Sequence, residues 1–402
     1  MYQSPYPHLF SPITVRNVTF KNRIIIAPAG MNHVITPDSL PRHDAAVSYG
    51  ARARSGAAAI TLNETLNDTL YARAHDCQFD INNEAILHPF QQVVDYAHYC
   101  GSKISIELTH VGEWALPQYI GRNPKGPSAC VLPNGSQVEE ITEDDMPFYI
   151  DGFVRAATMA KRAGFDMVLI HGGHGWLLDQ FLSPLDNHRT DRFGGSLGNR
   201  ARFPIMVIEA VRKAVGPDFL IDYRVSGEEM QENGLTVDEC VAFVKMIEDK
   251  IDMVHVSAGL DRMPQAIITH PNTYLPNGCN VKYAEAVKKS GVKIPVTAIG
   301  GINTPEMAEE ILASGKADAV AMCRALIADP YWPKKVRAGR LNEIHQCLRC
   351  TNCLAEMHPT DQFHCDVNPF SGHEVLFQDL KPKTARAKTV WIAGGGPGGM
   401  TA

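Results

Sequence analysis

Residues 144–174 read DDMPFYIDGFVRAATMAKRAGFDMVLIHGGH. Asp144 to Gly164 is amphipathic at helical spacing and closes on glycine, a common helix stop. Met167–Ile170 is a short, wholly apolar run, the pattern of a strand buried on both faces. Two histidines and two glycines follow at once. Helix, buried strand and polar exit make one α/β unit, and that unit recurs through the first 340 residues.

Working outward, the apolar runs are Arg23–Ala27, Ala58–Leu62, Ile104–Leu108, Met167–Ile170, Leu220–Val225, Met253–Ser257, Val296–Ile299 and Ala319–Met322. Between them lie helical segments with their own start signals. Thr236-Val-Asp-Glu239 is a capping box, and Thr304-Pro305 sets a cap residue before a first-turn proline. Eight units in series predict an α/β fold of the (β/α)8 TIM-barrel type, with a doubly wound open sheet as the alternative.

A barrel gathers its chemistry just beyond the strand ends. Those exits read Pro28-Ala29-Gly30, Asn63, Glu107 with His110, His171 with His174, Arg224-Val-Ser226, Ser257-Ala-Gly259, Gly300-Gly301 and Cys323-Arg324. Gly300, Gly301 and Arg324 suit a phosphate site, where backbone N–H groups approach an anion. Glycine is also common in such turns for purely structural reasons.

The 402 residues are 45% hydrophobic and 20% charged, the balance of a globular enzyme. With 38 Lys plus Arg against 44 Asp plus Glu, the net charge of −6 argues against a nucleic-acid partner. No apolar stretch reaches the roughly 20 residues of a membrane span. The opening Met-Tyr-Gln-Ser-Pro-Tyr-Pro lacks a secretory layout, so a cytoplasmic location is expected.

Six of the ten cysteines are scattered, as small buried hydrophobes of a reducing compartment would be. Cys347, Cys350, Cys353 and Cys365 instead crowd together. Zinc sites usually use two separated pairs, whereas a tight triplet with a distant fourth suits a [4Fe–4S] cluster better. Zinc and unliganded thiols remain the alternatives. Further on, an apolar run precedes Gly394, Gly396 and Gly399, the context of a dinucleotide fingerprint whose helix and acidic residue do not follow. The domains expected are a barrel over 1–340, an iron–sulfur segment over 341–370, a linker over 371–387, and over 388–402 the first strand and glycine turn of a truncated Rossmann-type domain.

The block from His171 to Phe203, with Leu9-Phe-Ser-Pro, Lys21-Asn-Arg-Ile-Ile-Ile-Ala-Pro28 and Tyr223-Arg-Val-Ser-Gly227, resembles the old yellow enzyme family of flavin reductases. The cysteines and glycines place the resemblance in its long branch, with 2,4-dienoyl-CoA reductase, bile-acid enoate reductases and trimethylamine dehydrogenase. It implies FMN in the barrel mouth, a [4Fe–4S] cluster beside it, and FAD and NAD(P)H serving a downstream domain. By the same resemblance, Pro28, Ala29 and Gly30 approach the flavin through backbone, and Arg224 lies near its N1/O2 edge. Asn63 falls in the cofactor set, Gly300, Gly301, Cys323 and Arg324 surround the phosphate, and His171 and His174 hold a substrate carbonyl.

Two positions depart from the family pattern. Glu107 stands where glutamine usually meets the flavin, and a carboxylate can accept a hydrogen bond but not donate one. Trp176 stands where a tyrosine usually gives the substrate its proton, which indole cannot do. Tyr71, Asp261 and His270 are candidates to replace it. The leading expectation is an ene-reductase that passes hydride from reduced FMN to the β-carbon of a small-molecule α,β-unsaturated carbonyl. An amine dehydrogenase or N-demethylase is the runner-up, since an aromatic wall suits an alkylammonium. A zinc-stabilised, non-redox barrel lyase is a third reading, and the oligomeric state, a homo-oligomer included, stays open.

Overall fold

The computed structural model describes residues 4–262, 266–355, 363–377, 389–396 and 399. Eight parallel strands form a closed ring: β1 Ile24–Ile26, β2 Ala59–Leu66, β3 Lys103–Thr109, β4 Met167–Gly172, β5 Leu220–Ser226, β6 Met253–Ser257, β7 Val296–Ile299 and β8 Ala319–Met322. Each pairs with its sequence neighbours, and β8 returns to β1 with Val320 opposite Ile24 and Met322 opposite Ile26. The expected barrel is what forms, and closure leaves its strands without a free edge.

The outer layer is helical: α1 Ala45–Ala53, α2 Leu87–Tyr99, α3 Met146–Arg162, α4 Arg202–Val215, α5 Val237–Ile247, α6 Val281–Lys289, α7 Pro305–Ala313 and α8 Trp332–Arg337. On α3, Tyr149, Phe153, Ala156, Ala157 and Ala160 recur at helical spacing and are buried. Each large apolar side chain so buried contributes about 1.5–3 kcal/mol. Thr236 and Glu239 close both halves of their capping box, and the Thr304 side chain accepts from the Met307 N–H.

Beneath the barrel, Ile13–Val15 and Val18–Phe20 form a hairpin, which the sequence reading does not contain. Its Val15, Val18 and Phe20 pack against Ile25, Met167, Leu220 and Met253, so the hairpin seals the barrel's lower end. A second regularity lies at the same end. Asp166, Asp252 and Asp318 each precede an even-numbered strand. Their carboxylates accept the N–H of Ile104 at 2.9 Å, Ile221 at 2.7 Å and Val296 at 2.8 Å, at the starts of the odd-numbered strands beside them. These bonds tie neighbouring units where the ladder hydrogen bonds begin.

Some boundaries differ from the sequence reading. The segment expected to link domains is ordered at its start: Glu374–Phe377 is a short helix, and the Glu374 carboxylate accepts from Ser48 Oγ on α1 at 3.3 Å. A polar segment without apolar period can still dock through hydrogen bonds. The last barrel helix, α8, is short and has Pro333 in its first turn. Thr389–Gly396 forms no strand, and Val390, Trp391 and Ile392 are exposed. An apolar run is buried as a strand only where a sheet receives it. Most of the linker and Lys388 lie outside the described residues.

Asp252 is fully buried and takes ion pairs from Arg16 in the hairpin and Arg212 on α4 besides the Ile221 bond. Asp252→Ala leaves Arg212 and the backbone N–H without their partner, so a loss of about 3–5 kcal/mol is expected. Urea denaturation reads it, and a midpoint within error of wild type contradicts this role.

Candidate active site

Above the C-terminal strand ends lies a cavity of about 700 Å³. Pro28, Ala29 and Gly30 wall it from β1, His171 and His174 from β4, and Gly300, Gly301, Cys323 and Arg324 from β7 and β8. Glu107 on β3 and Arg224 on β5 also line it. Some exit residues turn elsewhere, Ser226 among them, whose hydroxyl donates to Gly259 O at 2.9 Å. His110 faces Asp68 at 3.4 Å, and Asn63 accepts from the Tyr49 hydroxyl. The β2–β3 register shifts between Leu62 and Glu64, and Glu64 rather than Asn63 lines the cavity. An irregularity of this kind re-aims a side chain without any trace in residue type.

On the floor, Glu107 Oε1 meets Arg224 Nη1 at 2.7 Å, and both side chains are buried. His171 Nδ1 lies 3.7 Å from the same carboxylate oxygen. Burial pushes the Glu107 carboxyl up to about 7; Arg224 opposes the rise, while Glu64 and Asp222 add to it. His171 Nε2 and His174 Nδ1 are 3.1 Å apart, and His174 Nε2 meets Ser257 Oγ at 2.7 Å. Burial holds both imidazoles well below the usual range, with Arg224 adding to the effect, so both rings are neutral.

The two glycines between these histidines are there because of close packing. A Cβ on Gly172 would strike the Tyr223 hydroxyl, and one on Gly173 would sit 2.8 Å from the Ser226 N–H nitrogen. His174 itself adopts a left-handed φ of 61°, held by its N–H donating to Ser226 Oγ at 2.8 Å. Trp176 packs edge-on to His171 with ring centres 6.2 Å apart. Asp261 and His270, 3.5 Å apart, share the cavity, whereas Tyr71 packs on Phe148 and Tyr149 and is not among its lining residues.

Residues 8–343 match the NADH:flavin oxidoreductase / NADH oxidase family. The chain belongs to that family. It is 37% identical to an NADH oxidase of Thermoanaerobacter brockii, covering 99% of this chain and 61% of that protein. It is 30% identical to a cinnamate reductase of Clostridium sporogenes, covering 99% and 62%. A 2-naphthoyl-CoA reductase structure superposes with a TM-score of 0.86 at 29% identity, covering 92% of this chain and 58% of that one. Morphinone reductase gives 0.69 at 28%, covering 83% and 91%. The chain thus spans about three fifths of its long relatives. Membership in a flavin oxidoreductase family sets aside the non-redox lyase.

The cavity fits the family's FMN. Arg224 Nε and Nη2 and Arg324 Nη1 are buried without hydrogen-bond partners, as donors awaiting an anionic group are. Gly300 and Gly301 hold φ of 114° and 68°, and a Cβ on Gly301 would meet the Gly278 N–H nitrogen at 3.1 Å. Arg349 is a further candidate that sequence reasoning missed. It lies between two of the clustered cysteines, lines the cavity, and donates to Leu275 O at 2.7 Å. Its only sequence signal is a cation inside the cysteine triplet.

Cys347 and Cys353 line the same cavity as Cys323. Burial, with Cys323 next in effect, pushes the Cys353 thiol up to about 12. Cys350 instead donates to Asp366 Oδ2 at 3.0 Å, and the Cys347 sulfur accepts the Arg349 N–H at 3.3 Å. Among the described residues no three His, Cys, Asp or Glu side chains converge as metal ligands. Cys365 forms an isolated bridge with Asn368, whose amide donates to Ile327 O at 2.7 Å. Gly394, Gly395 and Gly396 are exposed and line no part of this cavity.

Around Arg262, whose guanidinium lies over the Trp114 ring, is a buried acidic group. Arg262 pairs with Asp186 at 3.2 Å and Glu113 at 3.6 Å, with Asp179 and Glu229 buried nearby. Burial, then Asp186, pushes Glu113 up to about 8 from an ordinary 4.5. The folded protein therefore keeps a proton there that the unfolded chain releases, and this contribution to stability is lost as pH rises from about 4.5 through 8. Glu113→Gln is expected to flatten that decline in thermal midpoints measured across the interval; an unaltered decline contradicts it. Arg224→Ala is expected to weaken FMN binding about tenfold or more, the scale of lost charge-assisted hydrogen bonds, as read by flavin fluorescence titration. Unchanged affinity removes Arg224 from the flavin site.

Proposed function

We propose that the chain is the flavin barrel of an ene-reductase acting on a small α,β-unsaturated carbonyl compound. The observation that carries the reading is the buried pair of ring nitrogens on His171 and His174, facing one another across 3.1 Å at the cavity wall. If the Ser257 hydroxyl, 2.7 Å away, donates to Nε2, His174 carries its ring N–H at Nδ1. A carbonyl oxygen that replaces the contact between the two rings would accept from both neutral imidazoles, which steady the negative charge that develops there, each donor contributing about 2.7–4 kcal/mol. Bound FMN supplies the hydride. Arg224 holds the flavin's electron-rich edge, Gly300, Gly301 and Arg324 its phosphate, and the buried walls exclude water.

Cys347, Cys350, Cys353 and Cys365 would hold a [4Fe–4S] cluster, and electrons would come from NAD(P)H through FAD in the part of the long relatives that this chain does not span. The triplet spacing supports this, and so does the position of Cys347 and Cys353 on the cavity wall. A second reading is amine oxidation. Trp176, Glu64 and Asp261 on the cavity wall favour it, since an aromatic face and carboxylates attract an alkylammonium.

His174→Ala is expected to slow reoxidation of the reduced protein by an enone about 10²–10³-fold, followed by anaerobic stopped flow. Anaerobic flavin bleaching by amines, with no reoxidation by enones, overturns the reductase in favour of the dehydrogenase. Anaerobic preparations are expected to hold about four irons and four sulfides per chain. Zinc in their place refutes the cluster.

A further inference from the structure

Two cations line the cavity together with the glycine turn after β7, and they come from different parts of the chain. Arg324 leaves the end of β8, and its Nη2 donates to Pro271 O at 2.8 Å. Arg349 comes from the cysteine segment; its Nη2 donates to Leu275 O at 2.7 Å and its Nη1 to Pro276 O at 3.3 Å. The carbonyls of one loop, 271–276, thus seat both guanidiniums. Gly301 O accepts the Gly278 N–H at 3.1 Å, so the same loop also ties down the turn. Neutral carbonyls position a cation without cancelling its charge. Among the described residues neither arginine pairs with a carboxylate, and Arg324 Nη1 is buried without any partner.

Arg349 reaches this place in a strained backbone. Its φ of 54° is left-handed, a conformation that glycine adopts far more readily than arginine. Its N–H donates to Cys347 Sγ at 3.3 Å, and its carbonyl accepts the Thr273 N–H at 3.1 Å. Asn303, just beyond β7, adds another tie by donating to Cys347 O at 3.0 Å. Arg349 Nη1 stands 3.5 Å from the point that a Cβ on Gly301 would occupy. A cation held in strain over a turn without side chains is a seat for an anion.

We propose that Arg349 couples flavin binding to the order of the cysteine segment, as a ligand of the flavin's phosphate that only the folded segment supplies. The proposal rests on the reading that Gly300, Gly301 and Arg324 take that phosphate. A second guanidinium adds charge-assisted hydrogen bonds to it. Because Arg349 is placed by Cys347, Thr273 and the 271–276 loop, loosening the segment withdraws the cation and weakens FMN. Linkage is reciprocal, so bound FMN steadies residues 347–353 by the same factor. Riboflavin has the same ring and no phosphate, and takes part in neither effect. The ring is held by the barrel alone, the phosphate by barrel and cysteine segment jointly.

The test uses the whole chain freed of flavin and titrated with FMN or riboflavin. Arg349→Gln is expected to raise the FMN dissociation constant about tenfold or more and to leave that of riboflavin unchanged, which also reports that the variant is folded. In wild type, amide hydrogen exchange across residues 347–353 should be slower with saturating FMN than with saturating riboflavin, and Arg349→Gln should abolish that difference. Wild-type FMN affinity in Arg349→Gln, an equal loss of riboflavin, or equal exchange with the two flavins in wild type overturns the coupling. Arg324→Ala separates this from failure of the phosphate reading. If it weakens FMN while Arg349→Gln does not, only the coupling falls; if both spare FMN, the phosphate lies elsewhere and both fall.

Discussion

Everything in this molecule depends on the closure of β8 onto β1. Backbone N–H and C=O groups cannot be buried without partners, and a parallel sheet coated by helices would leave two such edges. Register pairing of Val320, Ala321 and Met322 with Ile24, Ile25 and Ile26 removes both. Closure also brings all eight strand ends to one mouth. Residues as distant in sequence as Pro28 and Arg324 thereby line one cavity.

The barrel was legible because buried parallel strands are nearly pure apolar runs. Met253–Ser257, Val296–Ile299 and Ala319–Met322 lie where the runs do. Glu107, His171, His174 and Arg224 were readable as exit residues because a strand end fixes where the next side chain goes. Asn63 was misplaced because a register shift at Leu62 and Glu64 follows from pairing, not from residue type. The aspartates at 166, 252 and 318 were readable in principle: each directly precedes an even-numbered strand. The hairpin at Ile13–Phe20 was not, since its runs are only three residues long. Arg349 was hidden for another reason: its role comes from a chain segment folding back over β7.

The floor of the cavity balances charge in a way the family resemblance does not lead one to expect. Glu107 answers Arg224, and the rings of His171, His174 and His255 are kept neutral by burial. In so dry a place the hydrogens, more than net charges, carry information from one group to the next. Ser257, which a reading of strand exits treats as an ordinary polar residue, closes that network at 2.7 Å from His174 Nε2.

Arg349 gives the protein a property that its division into segments conceals. Its backbone belongs to the cysteine segment, yet its guanidinium donates to the Leu275 and Pro276 carbonyls, and its Nη1 lies 3.5 Å from where a Cβ on Gly301 would be. The barrel and the cysteine segment thus share hydrogen bonds across their boundary. Trimming the chain to its eight β/α units would take away a cation from the glycine turn, and a graft of the cysteines onto another barrel would arrive without the carbonyls that seat it. The boundary between the two is a shared wall.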